Sequence, residues 1–179
     1  MNLRLISGKF GGRPISAPDG QITHPMSERV RGSLFNIISD ELSDAEVLDA
    51  FAGTGALGLE SLSRGAKHAT FIERDRLASK ILKENIHILG VDALTTTVQI
   101  GLRTWIDKNT DKSFDIIFAD PPYNDLQLST VSGLVSLLKT NGLMVLSYPG
   151  RGELPTVNGV VVVDNRSYGT AALTFYRKK

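Results

Sequence analysis

A chain of 179 residues has room for one domain with a core but little for a second catalytic module, and its net charge of +1, from 20 Lys and Arg against 19 Asp and Glu, excludes a uniformly basic nucleic-acid binder. The absence of cysteine excludes a disulfide framework, a thiol nucleophile and thiolate metal ligation; the three histidines, His24, His68 and His87, lack ligand spacing and read as surface or structural residues. No apolar stretch approaches the ~20 residues that span a bilayer, and the N-terminus lacks the apolar core of a signal peptide, so a cytoplasmic location is expected.

In chain order, residues 3–6 and 13–17 read as short strands separated by Gly8, Gly11 and Gly12, a hairpin placed before the core. Ser27 stands where it can cap a helix whose Val30, Leu34, Ile37 and Ile38 fall at helical spacing. Strands and helices then alternate: strand 46–51, helix 56–64, strand 69–73, helix 76–89, strand 95–100, a short helix around Thr104, strand 114–119, helix 126–139 and strand 142–147. Such alternation means a parallel sheet with right-handed crossovers. Residues 159–163 and 171–176, joined by 164–170 with no helix between, read as a closing antiparallel pair, and 150–155 as a loop. With no repeat or interdomain linker, residues 1–179 are expected to form one α/β domain: a hairpin and helix extension over 1–42 and a core over 43–179.

The core carries two motifs. Asp120-Pro121-Pro122-Tyr123 directly follows the apolar strand 114–119 and so sets a carboxylate, a stiffened backbone carbonyl and an aromatic ring at one strand end. An exocyclic amine on a heteroaromatic ring has a delocalised lone pair. Presenting it to an electrophilic methyl group needs acceptors for its hydrogens, which Asp120 and the Pro121 carbonyl can be, and a flat face such as Tyr123 for an unstacked base. By itself the tetrad also reads as a strand ending in a proline turn with a surface tyrosine.

The other motif is Asp49-Ala50-Phe51-Ala52-Gly53-Thr54-Gly55-Ala56-Leu57-Gly58, a strand running into a glycine turn and then a helix, which lets backbone approach a ligand at a helix N-terminus. Gly53, Gly55 and Gly58 satisfy the dinucleotide spacing, and Glu73 ends the next strand, where an acid meets ribose hydroxyls. Asp49 argues against a pyrophosphate, which it would repel. It favours the ammonium and sulfonium end of S-adenosylmethionine. In a doubly wound sheet the strand order reverses between the first and fourth core strands, so both motifs are expected in one crevice, with catalysis by orientation and no metal.

These motifs, together with Arg4-Leu5-Ile6-Ser7-Gly8-Lys9-Phe10-Gly11-Gly12-Arg13, Pro25, Ser27-Glu28-Arg29-Val30-Arg31, Leu34-Phe35-Asn36-Ile37, Leu62-Ser63-Arg64-Gly65-Ala66 and Tyr168-Gly169, cover nearly the whole chain. In them the chain resembles the RsmD-type family of bacterial ribosomal RNA methyltransferases, which modify the N2 amine of one guanine in the small-subunit RNA. The resemblance implies a class I methyltransferase Rossmann-like sheet, mostly parallel with the last strand antiparallel. It implies S-adenosylmethionine as cofactor, bound along Asp49, Phe51, Ala52, Gly53, Thr54, Gly55, Glu73, Arg74, Gly101 and Leu102, with Asp120, Pro121, Pro122 and Tyr123 at the target amine. His24 stands where that family usually has arginine, Ser147 where its fifth strand often has glutamate, and Gly101 where an adenine-contacting acid or amide is common.

Charge is unevenly spread. Residues 1–31 carry Arg4, Lys9, Arg13, Arg29 and Arg31 against Asp19 and Glu28, and the end from Asp164 onward carries Arg166, Arg177, Lys178 and Lys179. The first five are the candidate phosphate contacts to ribosomal RNA, naked or within an assembled or partly assembled subunit, and the two basic ends can form one surface if the fold joins them. A monomer is expected. Two other functions stay open at this level: an amino-methyltransferase acting on adenine N6 in DNA or RNA, and a nucleotide-binding oxidoreductase or silent binding module.

Overall fold

The computed structural model describes residues 2–19, 25–150 and 153–179. A hairpin of β1 (Asn2–Arg4) and β2 (Pro14–Ser16) and helix α1 (Glu28–Ile37) precede a seven-stranded sheet. The sheet is built from β3 (Glu46–Asp49), β4 (His68–Ile72), β5 (Thr95–Val98), β6 (Phe114–Ala119), β7 (Leu138–Pro149), β8 (Val160–Tyr168) and β9 (Ala171–Lys178). Helices α2 (Ala56–Ser63), α3 (Arg76–Leu89), α4 (Leu102–Lys108) and α5 (Leu128–Gly133) provide the crossovers. The strand order is β5-β4-β3-β6-β7-β9-β8, parallel except for β9, which runs against both of its neighbours.

Each strand feeds two faces because successive side chains alternate. Val47, Ile116, Phe118, Leu143 and Val145 join Leu34 and Phe35 of α1, Leu59 of α2 and Leu82 and Ile86 of α3 on one face. Leu48, Ile117, Met144 and Leu146 join Trp105 and Ile106 of α4 and Val131 of α5 on the other. Every such residue fully buried contributes about 1.5–3 kcal/mol. Local signals agree where caps are present. Ser27 Oγ accepts from the Val30 N–H at 3.3 Å, Asp75 Oδ1 accepts from the Ala78 N–H at 2.8 Å, and Gly90, with φ 69°, ends α3 in the left-handed region.

Two expectations need correction. The helix expected over 126–139 is α5 followed by a 3₁₀ turn at Leu134–Leu137, because Leu138 already pairs with Phe114 and long-range strand pairing overrides helical pattern. Asn141 then lies in an irregularity within the long β7, where it takes φ 63° and the register with β6 shifts. Residues 164–168, expected in a connection, continue β8 past a register shift between Val162 and Asp164, and Gly169, with φ 70°, opens a two-residue turn. Polar residues are tolerated there because β8 is an edge strand, exposed on its outer side.

The hairpin strands have three residues each, too few to be stable alone. Buried polar groups of the core hold them. Glu60 on α2, 0% exposed, accepts from the Ile6 N–H at 2.8 Å, the Ser7 N–H at 3.1 Å and Arg64 Nε at 2.9 Å. Ser63 Oγ accepts from the Phe10 N–H at 2.9 Å and donates to the Ser7 carbonyl, while Gly8, with φ 84°, lies so close that a Cβ would sit 2.0 Å from the Ser63 carbonyl oxygen. Asn85 of α3 accepts from the Ser16 N–H at 2.8 Å and donates to its carbonyl at 2.9 Å.

Glu60→Ala strands two backbone N–H groups and an arginine, and is expected to lower the unfolding free energy by about 2–5 kcal/mol, with Glu60→Gln losing less. Urea denaturation checks this. A midpoint equal to that of the parent chain would mean that the extension is held elsewhere.

Candidate active site

Strand order reverses at the β3–β6 junction, and the residues that follow these strands meet in the crevice at their carboxyl ends. Asp49, the last residue of β3, is in register with Phe71 of β4 and Phe118 of β6, so Glu73 and Asp120 just beyond those partners flank it. Asp49 is 1% exposed; Oδ2 accepts from the Gly58 N–H at 3.0 Å, and Oδ1 is buried with no hydrogen-bond partner. Burial pushes its carboxyl up to about 7, against the lowering pull of the Gly58 N–H, and the charges of Asp120 and Glu73 raise it further.

The glycine turn is fastened to its neighbours. The Ala50 N–H donates to Phe118 O and the Ala52 N–H to Ile72 O, both at 3.0 Å. Glu73 Oε2 accepts from the Gly53 N–H and Oε1 from the Asp75 N–H, both at 2.7 Å, which leaves each oxygen a further lone pair for a ligand hydroxyl. Gly55 has φ 91° and no room for a side chain, since a Cβ would stand 2.4 Å from Leu82 Cδ1. At Gly53 a Cβ would meet nothing within 4 Å, so the backbone there borders open space. Thr54 is buried, its carbonyl accepting from Asn85 Nδ2 at 3.0 Å; Phe51 is half-buried, and Arg74 points to solvent.

Gly101 caps α4 and also borders open space, whereas the Leu102 side chain belongs to the core, which leaves only its backbone to offer a ligand. The orphaned Asp49 oxygen, the space beside Gly53 and Gly101 and the lone pairs of Glu73 together suit a ligand with a cationic group and vicinal hydroxyls.

Across the crevice stands the tetrad. Asp120 is half-buried, and desolvation pushes its carboxyl up to about 6 while a hydrogen bond from Ser147 opposes the rise. Pro121 is buried; Pro122 is exposed and its carbonyl accepts from the Asp125 N–H at 2.9 Å, closing a turn. Tyr123 keeps 42% of its surface exposed, with Oη 2.8 Å from Ser147 Oγ. Burial raises the Tyr123 phenol, Ser147 pulls it down and Asp120 raises it. Ser147, 2% exposed on β7, is a site residue that sequence reading had met only as a departure from a family pattern. Asn85, joining the hairpin to the glycine turn, gave no sequence signal at all.

The basic candidates divide. Lys9 and Arg29 are exposed; the Lys9 ammonium lies 5.5 Å from the Phe10 ring centre. Arg4 is exposed but paired with Glu28 at 3.1 Å, and Arg13 donates to the Ile88 carbonyl at 2.8 Å. Arg31 is a correction: it is 0% exposed, its guanidinium donates to the Arg4 and Met26 carbonyls, and burial pulls its pKa down against the raising charges of Glu60 and Glu28. An arginine so enclosed ties α1 to β1 and offers nothing to a phosphate. The C-terminal cations divide as well: Arg166 pairs with Leu173 in the row of Ser147 and bonds Asp164 at 3.1 Å, whereas Arg177 lies away from the crevice. Because β9 runs antiparallel, Arg177 pairs with Leu143 at the far end of the sheet and bonds Glu41 at 2.7 Å.

His24 lies outside the described residues. His68 bonds Thr96 Oγ1 at 3.2 Å and His87 lies 3.6 Å from Asp92. Among the described residues no group of three or more His, Asp or Glu is arranged to hold a metal ion, and no helix is long and apolar enough to cross a membrane.

The family described as Conserved hypothetical protein 95 matches residues 3–177. Ribosomal RNA small subunit methyltransferase D of Escherichia coli strain K12 is 37% identical over 161 residues, which cover 87% of this chain and 79% of the relative. The Haemophilus influenzae protein of the same name is 30% identical over 180 residues, 98% of this chain and 93% of the relative. The solved structure of the Escherichia coli protein yhhF aligns with a TM-score of 0.90 at 33% identity, over 100% of this chain and 99% of that one. With its class I methyltransferase sheet, its extension and its two crevice motifs all within that match, the chain belongs to the RsmD-type family of methyltransferases.

Proposed function

We propose that this chain transfers a methyl group from S-adenosylmethionine to the exocyclic N2 amine of a guanine in small-subunit ribosomal RNA, acting in the cytoplasm as a monomer of one domain without a metal. One observation carries the reading: an unpartnered buried carboxylate oxygen at Asp49 faces the same crevice as the Asp120 tetrad. The names of the Escherichia coli and Haemophilus influenzae relatives supply the class of RNA.

Bound in the crevice, S-adenosylmethionine supplies an electrophilic methyl group on a sulfonium. Asp49 would face its cationic end and Glu73 its ribose hydroxyls, while the backbone of residues 53–55 lets it approach closely. Asp120 and the Pro121 carbonyl accept from the target amine, Tyr123 stacks on the extruded base, and Asp120 receives the proton as the nitrogen turns cationic. A carboxyl near pKa 6 is ionised at neutral pH yet basic enough for that step. Lys9 and Arg29, with Arg4 and Arg13 beside them, would meet phosphates.

Incubation with labelled S-adenosylmethionine and, in parallel, total RNA, small subunits and DNA is expected to label a guanine in small-subunit RNA, as identified by mass spectrometry of nucleosides. Labelled adenine or labelled DNA would replace this reading. In the same assay Asp120→Ala should remove most transfer, with single-turnover rates at saturating cofactor falling while cofactor affinity changes little.

The carboxyls also predict a pH dependence. Both folded pKa values lie above the ordinary 3.8, so these groups stabilise the free fold at acid pH, and that contribution is lost as pH rises through about 6 to 7. A bound cation favours the ionised form. Cofactor affinity should therefore rise with pH and level off above about 7, with proton release below it. Calorimetry in buffers of different ionisation enthalpy measures that release, and Asp49→Asn should flatten the dependence.

Burial separates two neighbouring arginines. Arg29→Ala should reduce the logarithmic salt slope of RNA binding by roughly 0.7–0.9 with the melting temperature held, whereas Arg31→Ala should lower the melting temperature and leave the slope unchanged.

A further inference from the structure

Ser147 occupies a position where strand alternation calls for an apolar residue. It follows Leu143 and Val145 along one face of β7, both core residues, and is 2% exposed. A hydroxyl taken out of water at such a site needs partners. The parallel register supplies them: Ala119 of β6 pairs with Leu146 of β7, so Asp120 lies beside Ser147, and Tyr123 Oη stands 2.8 Å from Ser147 Oγ. On its other side Ser147 pairs with Leu173 of β9, so its backbone is clamped between two strands.

The hydroxyl holds a single hydrogen, and an ionised carboxylate can only accept. With an ionised Asp120 beside it, Ser147 Oγ can give its one hydrogen to that carboxylate and accept from the Tyr123 O–H. Such a chain runs from Tyr123 through Ser147 to Asp120. We propose that Ser147 is a positioning residue of the methyl-transfer site, whose hydroxyl relays a hydrogen bond from Tyr123 to Asp120 and so fixes both ring and carboxylate before a base enters. Tyr123 needs such a tether because nearly half of its surface is open and it stands on an exposed turn beyond Pro122. The elevated Asp120 pKa agrees, since Ser147 is the group that opposes its rise. The proposal rests on the function given above, deepening it by a residue that touches neither substrate nor cofactor.

The test uses the full chain with Ser147→Ala, Ser147→Thr and Tyr123→Phe. For Ser147→Ala, single-turnover methylation at neutral pH is expected to fall about tenfold to a hundredfold, as befits one lost hydrogen bond to a charged group, with cofactor affinity unchanged. The acid limb of its pH–rate profile should move to higher pH, and Ser147→Thr should restore rate and limb. Adding Tyr123→Phe to Ser147→Ala should lose less than Tyr123→Phe loses alone, since the relay is already broken.

A Ser147→Ala enzyme with the parent rate and profile overturns the proposal. So does a slower enzyme whose acid limb stays in place and which threonine does not rescue. Titration of the Asp120 carboxyl by NMR in the free protein needs no substrate and separates this proposal from the function. Its midpoint must rise in Ser147→Ala; an unmoved midpoint defeats the relay, whereas a parent protein that methylates no RNA defeats the function and leaves the relay to be judged by that midpoint.

Discussion

Three carboxylates share one crevice, and the site depends on how the fold keeps them there. Asp49, Glu73 and Asp120 end or follow β3, β4 and β6, the strands at and beside the reversal of order, so parallel topology alone forces their approach. Burial disfavours the charged form of two of them, and at Asp49 the charges of Asp120 and Glu73 add to that effect. Glu73 is held by two backbone N–H groups, while Asp49 and Asp120 retain protons well above the ordinary carboxylate range. A pocket in that condition is poised for a cation on one side and for an amine that becomes cationic on the other. A cationic partner in place of lost hydration is the physical basis of the proposed binding and of the proposed proton transfer.

The N-terminal extension is part of this arrangement. Asn85 bonds Ser16 of the hairpin on one side and the Thr54 carbonyl of the glycine turn on the other. Glu60 and Ser63 lie on the helix that the same turn begins. Helix α1 closes the set: Phe35 packs on Phe118 with ring centres 5.5 Å apart, and Ser33 bonds the Tyr168 hydroxyl at the end of β8. Through these contacts the exposed basic residues of the extension sit on the same frame as the glycine turn, so under the proposed function a substrate held by one would be registered against the other.

The antiparallel β9 has an opposite effect on the C-terminal charges. It carries Arg177 and Lys178 to the end of the sheet away from the crevice, where they bond Glu41 and the Leu138 carbonyl. Their work there is structural. Net charge summed over a chain end thus hides where each strand carries its cations.

By itself the sequence determined the elements that local chemistry governs: the capped helices α1 and α3, the strand at Phe114–Ala119, the glycine turn and the tetrad. It also implied that both motifs meet, because alternation of strand and helix leaves few topologies. Tertiary structure decided what depends on residues distant in sequence. Pairing with β6 drew Leu138 out of a helical pattern; the fold enclosed Arg31, which its sequence neighbours could not reveal. Register set Ser147 beside Asp120 and Tyr123, converting a departure from a family pattern into a member of the site. Periodicity reports which side of an element is apolar, whereas burial of a charge and the partner of a hydroxyl are fixed only when strands are aligned.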